Sequence, residues 1–481
     1  MTKPDSNFLR YASPNERRAI SREDLGFYHA VVIAAVYDFG ETFDATNADG
    51  FYAPLKQCID EHSFLSAVVR DAHGDKAYYV RAPTINLAEH ITVLSQVQEG
   101  QDAREAMEKL IGKELDRPFT PSIPHWRVVV LPLDSCEVLV VFAFSHGIGD
   151  GPTGLSFHRS FLSALRAAPS SPQPSSSAAI VTTIHKPLGE PFDTPTRLPI
   201  SWSFLLGPLL GAILPSFLAS LLGVRASVSA VTPTTWTGTP SSFNPTTHRS
   251  GIKLRFVSSD ALVNALRVTR SHEGAKLTAL LQVFIVRALS RALPPSTHDT
   301  FVSQTAINMR PSVSVPPNEM GEFANGSYLV WPRVASTSPS QELSEEDWVR
   351  VREGTKKLAK AAATLTDQPI GLLRYAPSVR GWTEEKLSKD RDASFEMSNI
   401  GMVDSGIGLD GDKARMVKMI FAQPGHVISS PIAFNFVSVK GGELVYTVTW
   451  PCGALGLGKT ETEELFVERV CEEFEAGLKV L

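Results

Sequence analysis

The sequence is poor in cysteine and has no excess of either charge. Its four cysteines among 481 residues are scattered and form neither a CxxC metal-binding pair nor a disulfide framework. With 46 Lys and Arg against 51 Asp and Glu, the formal net charge is −5, so the charge balance gives no reason to expect nucleic acid as a partner. The N-terminal segment MTKPDSNFLRYASPNERR also lacks the apolar run of a secretory signal. We therefore expect an intracellular, cytoplasmic protein with reduced thiols.

Charged residues are absent from Leu198 to Val224, a run almost long enough to cross a bilayer. Pro208 and Pro215 interrupt this run, and each is expected to kink or break a helix there. Two interpretations stay open. The segment either packs over the rest of the chain and covers a site, which we favour, or it contacts a membrane or lipid-droplet surface.

The length of the chain, about three times that of a typical domain, predicts two or three domains. Composition divides the chain into an αβ-rich part at 1–180, a Pro-, Ser- and Thr-rich connection at 181–250 and a second αβ-rich part at 251–481. The apolar run Tyr28–Tyr37 is strand or helix, because periodicity alone does not decide. Pro169–Ser177 is of low complexity and is predicted to be a mobile loop. The other predicted elements are two β-hairpins (Trp126–Leu133 with Val138–Phe144, and Ile432–Val439 with Leu444–Trp450), the strand Phe301–Ile307, the helices Asp102–Leu115, Thr153–Ala167, Ser259–Ser271 and Glu461–Leu478, and a helix capped by Thr278.

Two motifs overlap in the segment VLVVFAFSHGIGDGPTG, and they indicate different enzymes. Gly149, Gly151 and Gly154 match the dinucleotide-binding GxGxxG, but the second parallel strand with its terminal acid does not follow. The other motif is His146-x-x-x-Asp150-Gly151, at the end of a predicted strand. A bare HxxxD is nearly expected by chance, so its meaning depends on what surrounds it.

The surrounding segments resemble those of a known family. SHGIGDG after PHWRVVVLPL and VLVVFAF is similar to the active-site segment of acyl-CoA-dependent acyltransferases with the chloramphenicol-acetyltransferase fold. Further similarity lies in AINMRP (Ala306–Pro311) and FEMSNIG (Phe395–Gly401), and the opening segment LRYASPNERRAISREDLGFYHAVVIAAVYDF is closest to fungal alcohol O-acetyltransferases. The resemblance implies an α/β fold (α+β in layers) made of two chloramphenicol-acetyltransferase-like domains. Each domain is expected to have a mixed sheet covered by helices, and a channel is expected between the two domains. A membrane span between His146 and Arg310 would separate these domains, which argues against such a span.

Acyl transfer from a thioester to a hydroxyl requires a base for the hydroxyl proton and donors for the oxyanion. His146 is the candidate base, because histidine titrates near neutral pH. Asp150 could orient His146 as the acid of a triad. The resemblance implies instead that Asp150 pairs with Arg310 from the other domain and shapes the loop that holds His146.

Three further sets of residues have predicted roles. Gly151, like Gly147, is expected to allow a tight turn and close approach of substrates, or to be an ordinary turn glycine. Ser398 and Asn399 are candidates for lining the site, with Ser398 as an oxyanion donor; loop capping is the alternative for both. Asn308 is expected to hold the strand that carries Arg310.

The predicted function is acyl transfer, acetyl transfer above all, from acyl-CoA to a hydroxyl of a small, hydrophobic alcohol or secondary metabolite. No metal and no permanently bound cofactor are predicted; acyl-CoA is a co-substrate, and we expect a monomer. The alternatives are a condensation-type enzyme with a carrier-bound donor, an NAD(P) oxidoreductase and a non-catalytic binding protein.

Overall fold

The structure is a computed structural model, and it describes residues 6–40, 44–167, 179–215, 218, 230–294, 298–334, 342–405, 414–458 and 461–481. The low-complexity segment Pro169–Ser177 lies outside the described residues, as does part of the uncharged run.

The strands of the described residues are numbered in chain order. They are β1 (Phe8–Tyr11), β2 (Val31–Asp38), β3 (Ala67–Arg70), β4 (Tyr78–Arg81), β5 (Thr84–Asn86), β6 (Ile91–Val93), β7 (Trp126–Pro132), β8 (Glu137–Phe144), β9 (Ile180–Thr182), β10 (Ser250–Val257), β11 (Thr300–Asn308), β12 (Ala324–Pro332), β13 (Phe395–Val403), β14 (Arg415–Ala422), β15 (Ala433–Val439) and β16 (Leu444–Pro451).

The α-helices of the same residues are numbered likewise. They are α1 (Pro14–Asp24), α2 (Asp49–Glu61), α3 (Ala103–Asp116), α4 (Gly151–Ala167), α5 (Trp202–Ile213), α6 (Ser259–Ser271), α7 (Leu277–Ala292), α8 (Glu345–Ala363), α9 (Val379–Glu384) and α10 (Glu463–Lys479).

The first large sheet has the strand order β14-β2-β8-β7-β6. Strand β2 resolves the ambiguous run Tyr28–Tyr37: Val31 to Tyr37 are all buried, as expected for a central strand covered on both faces. The predicted hairpin of β7 and β8 is present, and β8 pairs antiparallel with β2 on its other side. Apolar side chains of α3 and α4 join the core of this sheet.

The second large sheet has the strand order β10-β16-β15-β13-β11-β12. Strand β13 runs parallel to both β11 and β15, whereas the other pairs are antiparallel. Helices α7 and α10 pack together against it and build a second apolar core. The predicted helices and strands are therefore present, but Thr278 does not cap α7. That helix starts one residue earlier, and Lys276 stands at its N-cap position without a side-chain cap bond.

One strand from the C-terminal half of the chain completes the first sheet. Strand β14 pairs antiparallel with β2, so that Ala422 lies opposite Val32. Because Val31 lies opposite Phe144 in the neighbouring pair, the ends of β14 and β8 meet at one edge of this sheet. The residues after those two strand ends, Ser145 onward and Gln423 onward, are thereby brought to the same place.

The described part of the uncharged run divides into a buried start and an exposed helix. Leu198 is fully buried against a small cluster that includes Met309 and Phe323. Helix α5 continues through Pro208, which therefore does not break it, and ends just before Pro215. Its residues Trp202 and Leu206 are 78% and 45% exposed. Within the described residues, no helix combines the length and apolarity that crossing a membrane requires.

Candidate active site

His146 lies in the turn that follows β8, and a buried carboxylate faces it. The Nδ1 atom of His146 is 2.5 Å from Oε2 of Glu322, at angles that depart from those of an ideal hydrogen bond. The His146 side chain is 13% exposed, whereas that of Glu322 is 1% exposed. Among the described residues, no group bonds to Nε2 of His146. A carboxylate at Nδ1 favours the proton on that nitrogen, which leaves the Nε2 lone pair free to accept one.

The surroundings of Glu322 keep it ionised. Burial raises the pKa of Glu322, but His146, the positive charge of Arg18 and the Ala324 N–H together outweigh burial and leave the pKa below its ordinary value. Asn15 also donates from Nδ2 to Oε1 of Glu322 at 3.4 Å. Glu322 is therefore a fixed negative charge that can stabilise the imidazolium form of His146.

The predicted ion pair between Asp150 and Arg310 is present and fully buried. Two parallel bonds of 2.7 and 2.8 Å join the guanidinium to the two carboxylate oxygens, and both side chains are 3% exposed or less. Asn308, at the end of β11, accepts from the Arg310 backbone N–H at 3.1 Å, consistent with the predicted structural role of Asn308. The two bonds between Arg310 and Asp150 form the bidentate geometry that is strongest between arginine and a carboxylate.

The same ion pair also holds the segment that carries Glu322. Arg310 donates from Nη2 to the carbonyl of Gly321 at 2.9 Å, and the Phe323 N–H donates to Oδ2 of Asp150 at 3.1 Å. The Asp150 N–H donates to the Gly321 carbonyl at 3.3 Å. Residues on both sides of Glu322 are thus bonded to the ion pair, and the loop of His146 is bonded to it through Asp150.

Two of the three glycines of the overlapping motif, Gly151 and Gly154, allow close packing, and the strand arrangement does not suit a dinucleotide. A Cβ at Gly154 would lie 2.1 Å from Cγ1 of Ile33, so this glycine lets α4 lie directly on β2. A Cβ at Gly151 would lie 2.5 Å from Cγ2 of Ile400, in the FEMSNIG segment. Strand β8 pairs antiparallel on both sides, whereas the GxGxxG motif needs a parallel βαβ unit.

Tyr28 connects His146 to a second polar cluster. Its ring packs edge-on against the imidazole, with ring centres 5.5 Å apart, and its hydroxyl donates to Oε1 of Gln423 at 2.9 Å. Gln423 in turn donates to Glu396 at 3.1 Å. Burial raises the pKa of Tyr28 well above its ordinary value, so the phenol stays neutral. Burial of His426, whose ring lies 5.7 Å from that of Tyr28, lowers the pKa of this histidine.

The two candidate oxyanion residues differ in their contacts. The Asn399 amide donates to Thr278 at 3.3 Å and its oxygen accepts the Gly401 N–H at 2.9 Å, which is the capping arrangement. Ser398 is buried on β13 and its hydroxyl makes no hydrogen bond within the described residues. Ser398 therefore stays the predicted donor, and the channel in which it would act also stays a prediction.

Sequence reasoning missed Glu322 and Tyr28. Glu322 belongs to no motif and follows Arg310 in an irregular segment, so only the fold brings it to His146. Tyr28 stands at the start of an apolar run, where an aromatic residue is ordinary core. Neither position carries a signal in a single sequence.

The chain matches known acyltransferases in sequence and in fold. Residues 86–472 match the profile of the family described as alcohol acetyltransferase. The probable alcohol acetyltransferase crmB of Aspergillus fumigatus is 22% identical over 474 residues, covering 93% of this chain and 94% of the relative. The probable alcohol acetyltransferase FCK4 of Fusarium pseudograminearum is 25% identical over 388 residues, covering 74% and 71%.

Among solved structures, the trichothecene 15-O-acetyltransferase TRI3 from Fusarium sporotrichioides is similar to this chain with a TM-score of 0.67 at 13% identity. The match covers 98% of this chain and 94% of that one. This likeness confirms the predicted α/β fold of mixed sheets and helices. The family match over most of the chain identifies an acyltransferase that belongs to the alcohol acetyltransferase family.

Proposed function

We propose that this acyltransferase moves an acyl group, acetyl in the simplest case, from CoA to the hydroxyl of a small alcohol, with His146 as the general base. The observation that carries the proposal is the pairing of His146 Nδ1 with the buried Glu322, 2.5 Å away, while Nε2 has no partner among the described residues. A histidine held in this tautomer is suited to remove one proton and return it.

The proposed reaction needs no covalent enzyme intermediate. Nε2 of His146 takes the hydroxyl proton as the alcohol oxygen attacks the thioester carbonyl carbon. A tetrahedral oxyanion forms, with the Ser398 hydroxyl as its candidate donor. The C–S bond then breaks, the ester is released, and the CoA thiolate takes the proton from the imidazolium. Glu322 stabilises the imidazolium between these two steps, and Asp150 and Arg310 act as positioning residues.

The direct test compares His146→Ala with wild type, using acetyl-CoA and a panel of primary and secondary alcohols. The released thiol is measured with Ellman's reagent, and the ester is identified by mass spectrometry. We expect kcat to fall by about 10²–10⁴-fold, the contribution typical of a general base. His185→Ala is the matched control, because His185 is an exposed histidine outside the site. Unchanged turnover of His146→Ala would eliminate the proposed base.

Glu322→Gln tests whether the carboxylate positions the histidine. The amide keeps the shape of the side chain but presents an NH₂ group that favours the wrong imidazole tautomer, so kcat should fall by about 10²-fold or more. Because Glu322 does not touch substrate in this proposal, KM should change little, and Glu322→Asp should recover part of kcat. A loss confined to KM would contradict this role.

A further inference from the structure

Two arginines, Arg18 and Arg22, lie on the face of helix α1 that is directed to the His146 site. Arg18 and Arg22 are four residues apart, so their side chains lie on the same face of the helix. Asn15, on that face one turn earlier, bonds to Glu322. At the other end of the face, the Arg22 guanidinium lies 4.7 Å from the centre of the Tyr28 ring. Since Glu322 and Tyr28 both contact His146, Arg18, between Asn15 and Arg22, faces the same site.

Neither guanidinium has a hydrogen-bonded acceptor among the described residues, although the charge of Arg18 acts on Glu322 and Arg22 packs on the Tyr28 ring. Within the described residues, Arg18 and Arg22 form no ion pair and no hydrogen bond, and the Nε atom of each is buried without an acceptor. Both side chains are half-buried, and a guanidinium that is partly withdrawn from water without any hydrogen-bonded acceptor is costly. Arg310, by contrast, uses its whole fork on Asp150 and two backbone carbonyls.

The electrostatics of the pair also favour a bound anion. Burial and then the positive charge of Arg18 lower the pKa of Arg22 to about 10, and the negative charges of Glu322 and Glu396 oppose this shift without cancelling it. Two repelling cations that are partly withdrawn from water are stabilised by a ligand of opposite charge. The planar guanidinium fork fits carboxylate and phosphate groups in particular.

The position of Arg22 close to His146 limits the kind of anion that can bind there. Arg22 and His146 contact the same Tyr28 ring, with the guanidinium 4.7 Å from its centre and the imidazole 5.5 Å away between ring centres. The phosphates of CoA lie at the far end of the pantetheine arm, about 15 Å from the thioester when the arm is extended, as judged from the length of an extended chain. The anion must therefore belong to the part of a substrate that reacts beside His146, where a carboxylate is the simplest group.

We propose that Arg18 and Arg22 form a carboxylate-binding subsite beside His146, which holds an acidic group of the acceptor alcohol or of a dicarboxylic acyl group. This inference rests on the proposed function and narrows its substrate class. It also modifies the expectation of a purely hydrophobic acceptor, because one end of the substrate would be charged.

The test measures selectivity. With acetyl-CoA as donor, kcat/KM is determined for lactate, mandelate and salicylate, each beside its methyl ester; malonyl-CoA is compared with acetyl-CoA on benzyl alcohol. We expect wild type to favour at least one charged member by about tenfold or more, as a charge-assisted bond allows. Arg18→Gln, Arg22→Gln and the double variant should lower that ratio about tenfold, whereas Arg17→Gln should not, because Arg17 bonds at the surface to the Asp75 carbonyl.

Two results would overturn the proposal: no preference for any charged substrate in wild type, or an equal loss on acids and esters in the arginine variants. A preference in the acceptor pairs identifies a hydroxy acid, and one in the donor pair identifies a dicarboxylic thioester. Calorimetric titration of His146→Ala with the same carboxylates and esters separates this inference from the proposed function. Carboxylate binding that is lost in Arg18→Gln/Arg22→Gln supports the subsite even if His146 proves not to be the base, and an absence of such binding refutes it.

Discussion

Removing the charge of Asp150 should destabilise the protein strongly, because Asp150 and its partner Arg310 are both buried. In Asp150→Asn the guanidinium of Arg310, which is 1% exposed, loses its counter-ion and meets an NH₂ group at one of its two bonds. Breaking a buried ion pair from one side costs about 3–5 kcal/mol, because the remaining charge cannot reach water. The Phe323 N–H also loses a charged acceptor.

The assay is urea unfolding followed by intrinsic fluorescence, with Lys440→Gln as the matched control. Lys440 pairs with Asp404 at 3.1 Å, but these side chains are 61% and 64% exposed, so breaking that pair should leave the free energy of unfolding nearly unchanged. A double-mutant cycle with Arg310→Met completes the test. The two substitutions should together cost less than the sum of their separate effects, by up to about 3 kcal/mol.

Additive effects, or a loss in Asp150→Asn no larger than in Lys440→Gln, would refute the reasoning. An activity measurement on the fraction that stays folded adds a second readout. Because the ion pair fixes the backbone on both sides of Glu322, kcat of the folded Asp150→Asn protein should fall although Asp150 makes no contact with His146.

Three further predictions concern packing, pH and the oxyanion. Gly154→Ala should lower the free energy of unfolding by about 1–3 kcal/mol, because its Cβ would lie 2.1 Å from Ile33. The control Gly207→Ala has open space around the new Cβ and should not lower it, so equal effects of the two substitutions would contradict the packing argument. Burial lowers the pKa of His158 to about 4, so between pH 7 and pH 5 His158 takes up a proton in the unfolded state but not in the folded state. The free energy of unfolding should therefore fall by about 2 kcal/mol over this range. A His158→Gln protein with the same dependence on pH would disprove this. Ser398→Ala should lower kcat by about 10²-fold with little change in stability, and an unaffected kcat would remove Ser398 as oxyanion donor.

The sequence predicts the regular elements well because their signals are local. The hairpin of β7 and β8 is bounded by a short polar turn, and α3 and α10 repeat apolar residues at helical spacing. The uncharged run is the opposite case. Its composition alone suggests a buried or membrane-embedded segment, yet Leu198 is buried in a small cluster while Trp202 and Leu206 on α5 are exposed. Which side of such a uniform segment is covered depends on contacts that composition does not encode.

Long-range pairs are predictable only where a motif marks both partners. Asp150 and Arg310 are 160 residues apart, and their pairing is predictable because each stands in a segment that resembles a known family. Strand β14 carries no such mark, so the sequence does not predict that it joins the first sheet beside β2. The same is true of Arg18 and Arg22, since an exposed basic face and a site-lining face of α1 have the same sequence pattern.

The contacts of Asp150 decide whether it could orient His146 as the acid of a triad. Oδ2 of Asp150 accepts from Arg310 and from the Phe323 N–H, while Oδ1 accepts from Arg310 and Thr153, so its hydrogen-bonding capacity is fully used. The carboxylate that reaches Nδ1 of His146 is Glu322, which the ion pair fixes through the backbone on both of its sides. Asp150 thus fixes the position of Glu322, which faces the proposed base His146, and makes no hydrogen bond to His146 itself. If Glu322 orients His146, Glu322→Gln should lower turnover although the Asp150–Arg310 pair is intact. A second substitution at Asp150 should not restore that lost turnover.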